Sequence, residues 1–282
     1  MGIFLIFIIG LGYVFSYAYN DSLFLTIAVI IATVQSVVSY YYSDSIALAI
    51  SGARVVVHEE NPDLYHLLEN LCITAGLPQP KFYIINDSAP NAFATGRDPN
   101  HAVICVTSGL LEKLNKNELQ GVIAHELSHI GNYDTRLMTV IVILVGVIAL
   151  VSDMFLRSMF WSGRRRSSDS SGGQVQAIMA VVAIVLAILS PIIAMMLQLA
   201  ISRKREYLAD ATAVSLTRYP DGLASALEKI SKDTEPLEAA NKATAHLYIA
   251  NPLRDHKTGW FDGLFNTHPP IEERIKKLRA MG

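Results

Sequence analysis

Residues 125–129 read HELSH. Positions four apart on a helix share a face, so His125 and His129 can point at one ion. Zinc accepts imidazole nitrogen readily, and its catalytic sites use three protein ligands plus a water. Glu126 follows the first histidine and lands beside such a metal without having to bind it, the position of a general base. The motif therefore supplies two ligands and a base. Two unrelated histidines on a surface helix would give the same letters by accident. Val122, Ile123, Leu127 and Ile130 argue against that, because they put an apolar stripe around the motif.

The third ligand has to be a histidine or carboxylate on another helix. The stretch SRKREYLADATAV, starting at residue 202, offers Glu206 and Asp210 four apart. Glu206 can bind zinc there. Asp210 can accept a hydrogen bond from the second ring nitrogen of a ligand histidine, which fixes that ring's tautomer and orientation. The competing reading of Glu206 is a solvated charge paired with Arg203 or Arg205.

The elements that must position these side chains are of two kinds. Four apolar runs, residues 3–18, 23–42, 137–155 and 176–201, account for a chain that is 51% hydrophobic and only 17% charged. Spanning a bilayer takes about 20 apolar residues, in a range of roughly 17–25. Three of the runs meet that length, and the first extends through interfacial tyrosines. The expected fold class is thus a mainly α integral membrane protein, with four transmembrane helices and an α+β domain carrying the HExxH helix. Residues 1–43 form an N-terminal transmembrane hairpin with no signal-peptide flanks. Residues 44–136 are the first part of the soluble domain, and residues 137–201 form a second hairpin with a flexible linker at 157–175. Residues 202–282 are the second part of the domain. HELSH and Glu206 lie close to the inner ends of the third and fourth runs. Their convergence on one ion makes those runs a hairpin and puts the metal at the membrane surface.

Within the soluble parts, Asn61-Pro62 opens a helix that ends near Gly76. Residues 81–86 and 101–107 read as strands, and residues 91–95 as a short extended edge. Asn115 and Glu118 form a capping box, and the helix they open is expected to run on through HELSH towards the third apolar run. Residues 221–232 and 270–279 are amphipathic helices. Residues 251–267 form a loop whose Trp260, Phe261 and Phe265 suit a small satellite core or, alternatively, a mobile lid or membrane-touching loop. Cys72 and Cys105 fit no metal spacing and read as buried free thiols. A net charge of −2, with no basic stripe interleaved with aromatics, excludes a nucleic-acid partner.

NAFATG, HELSHIGNYD, REYLADATAV and THPPIEERI, in that order and with the four apolar runs, resemble the HtpX-type membrane zinc endopeptidases of peptidase family M48, relatives of the CAAX prenyl proteases. The resemblance implies a zincin-like domain and one Zn2+ per chain, held by His125, His129 and Glu206. Glu126 would be the catalytic base and Asp210 the partner of a ligand histidine. His268 and Arg274 would sit at the active site, with His268 the candidate catalytic donor to the carbonyl oxygen that becomes anionic and Arg274 holding it or the product; the competing reading is that both only tie down the C-terminal helix. The backbone at Asn91, Ala92 and Phe93 would pair with substrate. It also implies protein substrates, chiefly misfolded or damaged membrane proteins in stress-related quality control. The location would be the cell's inner membrane with the catalytic domain facing the cytoplasm. Lys and Arg flank both membrane sides almost equally, so charge does not decide sidedness. Two other readings stand beside this one: a catalytically silent metal-binding scaffold, and a protease specific for lipid-modified proteins. Four apolar runs rather than the seven of the prenyl proteases weigh against the latter.

Overall fold

The computed structural model describes residues 9–10, 12–13, 16–17, 21–138, 203–240, 247–250 and 269–282. Most of the first apolar run, the third run beyond residue 138, the fourth run, the 157–175 linker, the 251–267 loop and His268 lie outside the described residues.

Apolar patterning and end signals set the helices. α1 (Leu23–Ile50) extends well past the second apolar run. Its apolar side chains Leu23, Ile27, Ile30, Val34 and Val37 are exposed, whereas Ala47 and Leu48 near its end enter the domain core. Among the described residues no helix is long and apolar enough to cross a membrane; part of the surface of α1, the longest, lies outside the described residues. α2 (Pro62–Ala75) starts where Asn61 accepts from the Leu64 N–H. It stops at Gly76, whose φ of 66° is the left-handed stop that glycine tolerates. Its face Leu64, Leu67, Leu68 and Leu71 is buried.

Four strands form one sheet in the order β1-β2-β4-β3, with β1 (Arg54–Val55), β2 (Lys81–Ile85), β3 (Ala92–Gly96) and β4 (Ala102–Thr107). β2 and β4 are parallel, and β3 returns antiparallel to β4 with Ala94 opposite Ile104. β3 is therefore the last strand on the side of the HELSH helix, and all five of its residues are buried. Cys72 and Cys105 are buried free thiols.

α3 (Ser108–Lys113) follows β4 directly, a short helix that the residue pattern does not announce. α4 (Lys116–Gly131) carries HELSH and opens with the complete capping box, Asn115 accepting from Glu118 N–H and Glu118 from Asn115 N–H. Contrary to the expected continuous helix, α4 stops at Gly131. Residues 132–133 form a turn in which Tyr133 takes a φ of 58°, and helix resumes at residue 134. α5 (Arg203–Thr217) and α6 (Pro220–Lys232) pack on α4, and α7 (Ile271–Arg279) packs on α6 and α5. α4 and α6 meet at bare backbone: a Cβ on Gly121 would lie 2.7 Å from the Leu223 nitrogen. Val122, Ile123 and Leu127 of α4 join Leu223 and Leu227 of α6 in the main core. Each such side chain, fully buried, contributes about 1.5–3 kcal/mol. The HELSH helix is thus held on every side.

Candidate metal centre

α5 presents one face to α4, made of Glu206, Ala209, Asp210 and Ala213, all buried. The alanines let the two helices approach closely, and the carboxylates stand where that approach brings them to the histidines. His125, His129 and Glu206 each offer one donor atom, and these atoms lie within 4.8 Å of one another. The two Nε2 atoms are 3.2 Å apart. Glu206 Oε2 is 3.7 Å from His125 Nε2, and Oε1 is 3.4 Å from His129 Nε2.

The other ring nitrogens decide the tautomers. His125 Nδ1 lies 3.1 Å from Asp210 Oδ1, and His129 Nδ1 lies 3.0 Å from Asp134 Oδ2. A carboxylate only accepts, so each Nδ1 carries the proton and each Nε2 turns a lone pair inward. Two lone pairs and a carboxylate face one another in a dry cavity, an arrangement that a cation among them relieves; the Arg274 Nη2 atom, 3.3 Å from His125 Nε2, supplies part of that charge from one side. Ligands at about 2.0–2.1 Å around a tetrahedral zinc sit about 3.4 Å apart. The spacings of 3.2–3.7 Å, with one Glu206 oxygen towards each histidine, lie near that value, and two imidazoles with one carboxylate form the donor set of a catalytic zinc site. The residues present fit the ion.

Charge within the cluster is balanced by Arg274 of α7, which is fully buried. It donates to Asp210 through two bonds, Nε to Oδ2 at 2.9 Å and Nη2 to Oδ1 at 2.7 Å. Its Nη1 lies 3.5 Å from Glu206 and donates to the Ile249 carbonyl at 3.3 Å. Burial pushes Asp210 up, but the Arg274 charge and the bond to His125 outweigh it and hold the carboxyl at about 2. Burial, and after it the Arg274 charge, lowers His125 to about 4, which keeps the ring in the neutral form that binds metal.

Glu126 points to the same region and is 2% exposed. Burial raises its carboxyl to about 7, with His129 opposing, Glu206 adding, and the Ala94 N–H of β3 donating to it. A base with a value near the working pH is what proton abstraction needs. Asn91, Ala92 and Phe93 are buried at the start of β3. The Phe93 ring packs edge-on against Tyr248 at 5.0 Å, so its side chain belongs to the core. The Ala92 carbonyl accepts from Ile249 N–H at 2.9 Å, and Asn91 donates to the Ala250 carbonyl at 3.0 Å. The chain's own residues 247–250 therefore lie along this part of the edge.

Reasoning from residue spacing names every member of the three-atom site but misses Asp134 and the two-bond pairing of Arg274. Asp134 stands five residues after His129, off its face on a continuous helix, and only the turn at 132–133 brings it under the ring. His268 lies outside the described residues.

The family model described as Peptidase family M48 matches residues 58–282. A Protease HtpX homolog from Dictyoglomus turgidum is 52% identical over 237 residues, covering 84% of this chain and 75% of its own. One from Caldanaerobacter subterraneus subsp. tengcongensis is 46% identical over 286 residues, covering 99% of this chain and 92% of its own. Among solved structures, Ste24p of S. mikatae superposes with a TM-score of 0.51 at 20% identity, a likeness of fold that covers 96% of this chain and 62% of that one. Similarity that takes in the metal-site helices and continues to both ends of the chain settles the relationship: the chain belongs to peptidase family M48, as a zinc metallopeptidase homologous to the HtpX proteases.

Proposed function

We propose that this metallopeptidase is an integral membrane endopeptidase that cleaves misfolded or damaged membrane proteins where they leave the bilayer, on the cytoplasmic side. The observation that carries the membrane reading is the surface of α1. Its exposed apolar stretch ends at Tyr40, Tyr41 and Tyr42, of which the last two are exposed. Residues 23–39 would span about 26 Å as helix, close to a hydrocarbon core. Arg97 lies over the Tyr41 ring at 5.2 Å and Arg136 over the Tyr40 ring at 5.7 Å. Tyrosines with snorkelling arginines are the chemistry of a membrane–water interface. Arg136 is two residues past Asp134, which contacts His129, so the metal site stands next to this band. The four spans, the two hairpins and the division of the soluble domain into residues 44–136 and 202–282 belong to the same proposal.

Bound zinc supplies a polarised water and a charge for the developing oxyanion. Glu126 takes the proton from the attacking water and returns it to the leaving amine. His268 is assigned as the second oxyanion donor. Substrate backbone adds to β3 and takes the Ala92 carbonyl from Ile249, so main-chain bonds supply affinity and sequence preference is loose. Ile249→Pro, which removes the competing N–H, is expected to lower KM for an unstructured peptide several-fold; an unchanged or higher KM in a variant that keeps its zinc and its melting temperature would place the substrate elsewhere.

The whole reading is tested on protein purified in detergent with chelator. Cleavage of an unfolded protein should disappear with the metal and return with one zinc per chain. Metal restored without cleavage would favour a silent scaffold, and cleavage only of lipid-modified substrates would favour the narrower protease. Sidedness is read from Ser162→Cys on intact cells: an impermeant thiol reagent should label it, and labelling only after lysis would reverse the orientation.

A further inference from the structure

The two ligand histidines are each backed by a carboxylate, and each carboxylate is backed by an arginine. His125 rests on Asp210 and Arg274. His129 rests on Asp134, and the second oxygen of Asp134 pairs with Arg205. We infer that Asp134 and Arg205 form a positioning relay for zinc. Asp134 fixes the tautomer and ring plane of His129, and Arg205 fixes Asp134.

Three observations carry the assignment. Asp134 is 1% exposed and spends both oxygens on the relay, Oδ2 on the His129 ring and Oδ1 on Arg205 Nη1. The backbone reaches this position through a non-glycine residue in the left-handed region, Tyr133 at φ 58°. That conformation costs on the order of 1–3 kcal/mol and persists where surrounding contacts over-determine it. Without that turn Asp134 would rotate away from His129. Finally, Arg205 directly precedes the ligand Glu206, and successive helical side chains diverge by about 100°. With Arg205 on Asp134 and Glu206 at the metal, the pair sets the rotation of α5 against α4. The two arginines differ in setting: Arg274 is sealed in the core, whereas the Arg205 side chain is 42% exposed. The His129 arm therefore ends on a partly exposed arginine, while His129 and Asp134 themselves stay buried.

This inference rests on the zinc site and not on the proposed membrane substrates. Its readout is metal affinity, so the two stand or fall separately. Asp134→Ala, Asp134→Asn, Arg205→Ala and the Asp134→Ala/Arg205→Ala pair are titrated with zinc against a chelator in detergent. The cobalt forms are compared by visible absorption. Asp134→Ala should bind zinc about 10–100-fold more weakly and shift the cobalt bands. Asp134→Asn, which keeps an acceptor but not the charge, should fall between it and wild type. Arg205→Ala should weaken binding less, and the double variant should be no weaker than Asp134→Ala, because Arg205 acts through Asp134. If Asp134→Ala does not fold, the isosteric Asn variant decides. Zinc affinity within about twofold of wild type in the folded Asp134 variants, or additive losses in the double variant, would overturn the relay.

Discussion

Glu126→Gln is expected to lower kcat by about 10²–10⁴-fold, the usual contribution of a positioned general base, while the protein keeps one zinc per chain. Glutamine has the shape of glutamate but cannot take a proton from water. Glu126 is not among the three atoms that converge on the ion, so its loss as a base leaves the metal set intact. With the metal removed, the variant should be no less stable than wild type. Burial raises the Glu126 carboxyl to about 7, which means that the folded protein works against its ionisation. A neutral amide removes that cost, the common trade of stability for activity at a catalytic site. Metal analysis, kcat on an unfolded protein and a melting curve give the answer together. Zinc loss would make Glu126 a ligand, and a kcat within tenfold of wild type would move the base to another side chain.

How much of this was legible in the residues follows from what kind of signal each feature leaves. Helix ends announced themselves, because Asn61-Pro62, Gly76 and the Asn115–Glu118 box act through contacts a few residues away. HELSH and the Glu206–Asp210 face are also local, each needing only the helical repeat. The features that escaped depend on tertiary placement. The resemblance named Arg274 as a site residue, but it sits on a polar-looking helix, with Glu272, Glu273, Lys276 and Lys277 around it, and nothing in that stretch marks its burial or its pairing with Asp210. The break at residues 132–133 was invisible because Tyr133 is not a residue type that favours positive φ. Asp134 went unseen with it. The Ala92–Ile249 bond joins residues far apart in the chain, and no period predicts such a pair.

Arg274→Met is expected to destabilise the folded protein by about 3–5 kcal/mol, the cost of removing one partner from a buried ion pair. Two effects compete. Methionine fills much of the space and spares the desolvation of a guanidinium. Against that, it strands Asp210, which in the native protein takes two bonds from Arg274, and it removes the positive charge 3.5 Å from Glu206. The second effect wins because an uncompensated carboxylate in a closed interior is worse than a well-paired one. Adding Asp210→Asn to the variant should therefore recover a large part of the loss, since both charges are then gone and their energies couple. The pH dependence supplies the sign. In wild type the Asp210 value is depressed from 3.8 to about 2, so its contribution is complete above 3.8 and disappears as pH falls through 2. Without Arg274, burial is opposed by His125 alone, so the same carboxyl rises from its wild-type value, and protonation then relieves the variant as the solution is acidified. The stability gap between metal-free wild type and Arg274→Met should narrow from pH 7 towards pH 4. Denaturant unfolding in detergent measures it at each pH, and a gap below about 1 kcal/mol at neutrality, or one that widens with acid, would show that Arg274 does not neutralise this cluster.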